Sequence, residues 1–393
     1  MSLRGRNFVN VNDFSNKEFA EVLALAADLK RRTQAGITDQ PLAGKVLGLI
    51  FQKPSLRTRA SFEVAMHQLG GKAIYMSPAE VGMGTREAVD DVALVLSRYF
   101  DVIASRVFGH DVIEGLAENA SVPVINALSE GEHPCQALAD LLTLQEWRGD
   151  LKGQKVTYVG DGNNVAISLA LACAKVGSHF AIAAPAGYQL PESCVKSFAA
   201  IAAETGSRLE QGDHPDKVAA GTTAFYTDVW TSMGQEEEQA KRLAAFKGFT
   251  ITEELRAKGD DAIVLHCLPA HYGAGGLGRR RGAGRDAAPW PGRGDRARRH
   301  SRTLLRDLGS GREPPPRAEG PPGPRDPDLD LDSDLDPAEL ALVDLVALEL
   351  AQQGPRAEAR DLGGSADPAA LRPQGLLEVA ALELLYERAQ VLL

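Results

Sequence analysis

The sequence predicts an α/β protein of two domains, each with a central parallel sheet flanked by helices, followed by an atypical C-terminal tail that is disordered or partly helical. Three observations lead there. Short apolar runs of strand length alternate with helical patterns as far as about Gly273. A long amphipathic segment, Pro134 to Trp147, falls between two such series. The composition then changes abruptly after Gly273. The expected limits are 1–148 for the first domain with the linking helix at its end, 149–273 for the second, and 274–393 for the tail.

Lys17 to Arg31 carries the first helical pattern and Val46 to Phe51 the first strand. A helix pattern follows over Arg59 to Leu69, with its start expected at about Ala60, then a strand over Val102 to Ala104. Pro134 suits the first turn of the linking helix. Gly149 and Gly153 precede a new strand, Val156 to Val159. Phe180 to Ala184, Ala224 to Tyr226 and Ala262 to Leu265 complete the second series. Such alternation implies βαβ units and parallel sheets.

The formal net charge of -10 shows no basic excess of the kind nucleic-acid binding needs. No stretch of transmembrane length is free of strongly polar residues, and Met1 to Asn10 lacks the apolar run of a signal peptide. Cys135, Cys173, Cys194 and Cys267 form no CxxC pair. They suggest reduced thiols in a cytoplasmic protein. In the tail, 274–325 is dominated by Arg, Gly and Pro, and 326–336 alternates Asp with Leu, Pro or Ser. All 12 Phe residues lie at or before Phe249, and Lys, Ile and Asn are also missing after Ile263. These residue types have A/T-rich codons, so their joint absence fits an out-of-frame reading of GC-rich DNA. A natural disordered tail is the alternative. Ala338 to Leu393 is rich in Leu and Ala and could form helices.

The strongest chemical signal is Lys53-Pro54-Ser55-Leu56-Arg57-Thr58-Arg59, directly after a strand and before a helix. A helix N-terminus offers unpaired N–H groups and partial positive charge. Ser55 and Thr58 add hydroxyls, and Arg57 adds a fork matched to phosphate oxygens. A plain helix cap beside a surface Arg is the rival reading. Arg106 stands just past a strand, where open α/β sheets bind ligands. Glu132-His133-Pro134-Cys135-Gln136 opens the linking helix, with His133 able to donate to a carbonyl oxygen and Gln136 able to donate and accept. His133 with Cys135 lacks the second ligand pair of a metal site, so no metal is expected. Gly160-Asp161-Gly162-Asn163-Asn164 follows a strand but lacks the third Gly of a dinucleotide site. Asp228, in Asp228-Val229-Trp230-Thr231-Ser232-Met233-Gly234, could hold a cationic amine, and Ser232 a carboxylate. Cys267 ends the last strand, in His266-Cys267-Leu268-Pro269. Taken singly, these could be a core histidine, an Asn cap, an Asp cap and an inert buried thiol.

In this order, these runs resemble the aspartate and ornithine carbamoyltransferase family over residues from about 1 to 273. The resemblance implies that Ser55, Leu56, Arg57 and Thr58 (S-x-R-T-R) bind carbamoyl phosphate. Arg106, His133, Pro134, Cys135, Gln136, Cys267 and Leu268 join them. It implies that Asn164, Asp228, Ser232 and Met233 bind ornithine, since D-V-W-x-S-M-G and the Cys of H-C-L-P mark the ornithine-using branch. The catalytic set implied is Arg106, His133, Gln136, Asp228 and Cys267. The expected reaction is direct transfer of the carbamoyl group to the side-chain amine of L-ornithine, giving L-citrulline and phosphate in arginine metabolism. No metal or organic cofactor, nucleic acid or membrane is expected, and the family implies a homotrimer. The direction, anabolic or catabolic, stays open.

Two departures stand out. Matching the family's Q-x-G-x-x-E run to Gly82-Met83-Gly84-Thr85-Arg86-Glu87 places Gly82 where the family has a Gln that reaches the carbamoyl group. The family's E-N-R-x-H-x-Q helix has no counterpart after Gly273. Impaired turnover is the expectation from its loss. The rival functions are transfer to putrescine, an acylated ornithine or aspartate, a carbamoyl-phosphate binder without turnover, and a nicotinamide dehydrogenase built on Gly160 to Asn164.

Overall fold

The computed structural model describes residues 3, 5–37, 40–231 and 238–269, all within one compact unit. The tail expected after residue 273 lies outside the described residues, as do Ser232 and Met233. A 3-10 turn at Val11–Asp13 opens the chain. The first half then runs α1 (Asn16–Gln34), β1 (Val46–Phe51), α2 (Leu56–Gln68), β2 (Lys72–Met76), α3 (Pro78–Val81) and α4 (Val89–Leu96). It ends with β3 (Val102–Arg106), α5 (His110–Asn119), β4 (Val124–Leu128) and the linking helix α6 (Pro134–Arg148). The second half runs β5 (Lys155–Val159), α7 (Asn164–Lys175), β6 (His179–Ala183), α8 (Glu192–Thr205) and β7 (Leu209–Gly212). It continues with α9 (Pro215–Val218), β8 (Ala224–Thr227), α10 (Gln239–Ala245), α11 (Glu253–Arg256) and β9 (Ile263–His266).

Two parallel sheets result, ordered β2-β1-β3-β4 and β7-β6-β5-β8-β9. The expected class, two domains each with a helix-flanked parallel sheet, is the class observed. In each sheet the chain order reverses once. The reversal falls between β1 and β3 in the first sheet and between β5 and β8 in the second. At such a point the helices following adjacent strands leave on opposite faces, opening a crevice beyond the strands' carboxyl ends. The register pairs Phe51 with Arg106 in the first sheet. It pairs Tyr158 with Tyr226, and Thr227 with His266, in the second. The chemical motifs therefore sit at the two switch points and beside them.

Two local expectations need correction. The second helix starts at Leu56, not near Ala60, because Ser55 is its N-cap. Leu56 to Arg59 thus form its first turn. Arg106 is the last residue of β3 rather than a residue beyond it.

α6 holds the two sheets together. Nine of its 15 residues are buried: Pro134, Cys135, Ala137, Leu138, Ala139, Asp140, Leu141, Leu142 and Leu144. A helix apolar on most sides is covered on most sides. One contiguous core cluster contains Leu47 and Phe51 of β1, Leu138 and Leu142 of α6, and Val156, Ile182 and Ile263 of the second sheet. At the far end of α6, Arg148 donates to the carbonyl oxygens of Asp260 and Asp261, just ahead of β9.

Candidate active site

The first part of the site is the turn from β1 into α2. Ser55 is extended and its hydroxyl accepts from the Thr58 N–H at 3.4 Å, while donating to Thr58 Oγ1 at 3.1 Å. That holds the first turn open toward the carboxyl end of the sheet with its leading N–H groups in place. Thr58 is buried, whereas Arg57 and Leu56 are exposed, Leu56 by 83%. Lys53 is buried beside this turn. Its ammonium lies 4.3 Å from the Phe108 ring centroid and 3.7 Å from Glu130. Burial pushes the Lys53 ammonium below the usual range; Glu130 opposes this, and the positive charge of Arg106 adds to it. Arg106 is itself buried at the end of the neighbouring strand. The region is thus a concentration of positive charge.

The second part begins at His133, the N-cap residue of α6. Its side chain is buried, and its Nδ1 has no hydrogen-bond partner among the described residues. Burial drives its pKa down to about 3, with Arg106 adding repulsion, so the imidazole is neutral at physiological pH. Gln136, one turn on, donates to Asp140 Oδ1 at 3.0 Å. Asp140 is buried, which raises its pKa to about 8 against the pull of Gln136 and of the nearby Tyr226 hydroxyl; Asp228 raises it further. The Tyr226 hydroxyl makes no hydrogen bond of regular geometry among the described residues. The Cys135 side chain faces the core, with its thiol 3.6 Å from the Asn126 carbonyl oxygen, and Pro134 is buried with it. Only the backbone of Cys135 remains available toward the site.

The third part is on the second sheet. Asp228 follows β8 and is buried. Its Oδ1 accepts from the Val229 N–H at 2.7 Å and its Oδ2 from Asn163 Nδ2 at 3.3 Å. Asn163 also caps α7, accepting from the N–H groups of Val165 and Ala166. The turn that brings it there needs Gly162, because a Cβ would fall 2.5 Å from the Gln189 carbonyl oxygen. The Cys267 thiol sits beside Asp228; burial, then that carboxylate, pushes it well above the usual thiol range, so it remains protonated. Leu268 is half-exposed, and its φ of 56° lies in the left-handed region. Its N–H donates to His266 Nδ1 at 2.9 Å. Asn164 does not join this group. It donates to the Ser129 carbonyl oxygen at 2.6 Å, on the loop ahead of α6.

Asp228, His266 and Cys267 place possible metal-ligand atoms within 4.8 Å of one another. The Cys267 thiol stays protonated and His266 Nδ1 already accepts a backbone N–H.

Sequence reasoning missed Asn163, Asp140, Tyr226 and Lys53. Asp140 had a readable signal, standing four residues after Gln136 on one helix face. Gly82 sits at φ 63° as the C-cap of α3, a conformation that favours glycine over glutamine. Arg86 folds back there to donate to the carbonyl oxygens of Glu80 and Val81. His110 bonds to Ser129 Oγ at 2.7 Å and Asn10 Oδ1 at 2.9 Å, a structural role.

A capped helix start among positive charges on one parallel sheet, a buried carboxylate and thiol on another, and a neutral histidine on the joining helix are the parts of a two-substrate transferase scaffold. The chain belongs to the aspartate/ornithine carbamoyltransferase family: its carbamoyl-P binding domain matches residues 6–146 and its Asp/Orn binding domain residues 152–280. Among curated relatives, the ornithine carbamoyltransferase of Geobacillus stearothermophilus is 48% identical over 274 residues, covering 70% of this chain and 88% of that protein. That of Acidothermus cellulolyticus is 51% identical over 270 residues, covering 68% and 86%. Among solved structures, ornithine carbamoyltransferase from Pyrococcus furiosus superposes with a TM-score of 0.67 at 44% identity, covering 70% of this chain and 88% of that one. Among the described residues, no helix is long and apolar enough to cross a membrane.

Proposed function

We propose that this protein transfers the carbamoyl group of carbamoyl phosphate to the side-chain amine of L-ornithine, giving L-citrulline and phosphate. The observation that carries the reading is the buried Asp228, bonded by Asn163 and flanked by the Cys267 thiol. A carboxylate so held suits a cationic amine, and the relatives that share this arrangement of domains are named ornithine carbamoyltransferases.

Residues 1–148 bind carbamoyl phosphate and 149–273 bind ornithine. Ser55, Leu56, Arg57 and Thr58 receive the phosphate at the start of α2, with Arg106 beside them. His133, Gln136 and Arg106 face the carbamoyl carbonyl, with the backbone of Pro134, Cys135, Cys267 and Leu268 completing its surround. The neutral imidazole donates one N–H to the oxygen as it gains charge, a form of stabilisation worth several kcal/mol in known enzymes. Asp228 orients the ornithine amine, and Ser232 and Met233 hold the α-amino and carboxylate ends, joined by Asn164 when its amide exchanges the Ser129 carbonyl oxygen for the substrate. An alkylammonium has a pKa of roughly 10, so the minor neutral amine attacks. The new C–N bond forms as the carbonyl becomes a tetrahedral oxyanion. The C–O bond to phosphate then breaks, and the leaving phosphate takes the amine proton. Cys267, held as a thiol, orients the amine and does not accept that proton. Nothing in these steps calls on a metal or organic cofactor. A cytoplasmic homotrimer fits the reading. The exposed Leu94, Val95 and Tyr99 near the end of α4 are apolar surface that association would cover.

A second reading, carbamoyl-phosphate binding without turnover, is favoured by the foreign sequence after residue 273. Citrulline formation by the purified chain separates the two, with aspartate as a parallel substrate. Ornithine-dependent product is expected. Product from aspartate alone would overturn the substrate assignment, and phosphate binding without product would select the second reading.

A further inference from the structure

The loop ahead of α6 is held from the other half of the molecule by one face of α7. Asn164 and Ser168 stand four residues apart on that helix and so share a face. Asn164 donates to the Ser129 carbonyl oxygen. Ser168 is buried, and its hydroxyl is used twice. It accepts from the backbone N–H of His133 at 2.9 Å and donates to Glu132 Oε2 at 2.8 Å. A serine hydroxyl has a single proton, so donation to the carboxylate fixes its lone pairs toward His133. The same Glu132 oxygen accepts from the Val11 N–H at 3.0 Å. Glu132 is buried as well, and its backbone N–H donates to Ser129 Oγ at 3.2 Å. His133 itself has no side-chain hydrogen bond to set its ring among the described residues: Nδ1 is buried and unpartnered. Its aim is therefore set by its backbone, and its backbone N–H is held by Ser168.

We infer that Ser168 and Glu132 are positioning residues, which through the His133 backbone aim its imidazole at the carbamoyl oxygen. The inference rests on the site assignment given under Proposed function and adds to it two residues that touch no substrate. Burial raises the Glu132 pKa to about 7, against the N–H of Val11 and the hydroxyl of Ser168, with Asp13 raising it and Lys175 lowering it further. A carboxyl kept buried at that expense needs a reason beyond packing, and the bond to Ser168 supplies one.

The test measures binding by calorimetry of two stable probes to the full chain: phosphonoacetamide, which carries both the anion and the amide carbonyl, and inorganic phosphate, which carries the anion alone. Wild type is expected to prefer phosphonoacetamide. Ser168→Ala should weaken phosphonoacetamide by about five-fold, the loss of one hydrogen bond, and leave phosphate within about two-fold. Glu132→Leu should repeat this from the other end of the relay. Glu132→Gln keeps a carbonyl oxygen for both donors and should restore the preference. A purely structural role would weaken both probes together in both disruptive variants, and that result overturns the inference. So does an unchanged preference in Ser168→Ala and Glu132→Leu. Failure of wild type to bind either probe would instead overturn the site assignment, and this inference with it.

Discussion

Asp140 is a carboxyl group with little to support a charge. It is buried, accepts one hydrogen bond from Gln136 at Oδ1, and leaves Oδ2 without a bond of regular geometry among the described residues. Its pKa of about 8 lies above the ordinary 3.8, so the folded protein holds a proton that the unfolded chain releases. The linkage follows: stability falls as pH rises from about 4 to about 8, and the loss is complete above that. Asp140→Asn keeps a carbonyl for Gln136 and has no charge to bury. It should therefore be stabilised relative to wild type at pH 8.5 and little changed at pH 4.5, by a difference on the order of 4 kcal/mol. Urea unfolding at the two pH values measures this; equal effects at both would contradict it. Residues such as Asp140 mark the limit of reading a chain by eye. Ser55, His133, Asp228 and Cys267 were legible because each stands in a run of chemically distinctive neighbours. Their partners were not, since Asn163 meets Asp228 across 65 residues and Ser168 meets His133 across 35. The pairing of β5 with β8 makes the first pair neighbours, and the packing of α6 against α7 the second.

The elements show the same division. Strands made almost wholly of apolar residues announced themselves as runs, and β1, β3, β5, β6, β8 and β9 were found within a residue or two of their limits. β2 and β7 are edge strands of mixed polarity, Lys-Ala-Ile-Tyr-Met and Leu-Glu-Gln-Gly, and gave no such run. β4 is interrupted by the buried Asn126, whose amide donates to Val9, Ser129 and Glu132. α2 shows how a cap and a ligand site share atoms. Ser55→Ala should lose about 1 kcal/mol of stability through the cap and weaken phosphate binding as well. Ser55→Asp separates the two roles, because aspartate caps as well as serine but repels an anion. Its thermal midpoint should stay near wild type while phosphate affinity falls by about ten-fold or more. Retained phosphate affinity in Ser55→Asp would show that the anion does not sit at this helix start.

For the whole molecule, counting sheets gives two domains, yet the largest apolar cluster belongs to both of them. Apolar side chains from β1, α6, β5, β6 and β9 belong to one cluster, and Leu138 and Leu142 lie within it. A calorimetric scan of the protein should show one main transition over the described halves, with equal van't Hoff and calorimetric enthalpies. Leu138→Ala should lower that transition by the equivalent of about 2–5 kcal/mol without splitting it. Two resolved transitions would mean that the shared core contributes little. The joining segment carries a further consequence. The chain leaves α6 through an exposed turn at Gly149 and Gly153, a place where a protease could cut. The apolar sides of α6 are matched by surface on the second half, so a single cut there would not release two proteins. It would leave two polypeptides that copurify and, mixed after separation, find each other again.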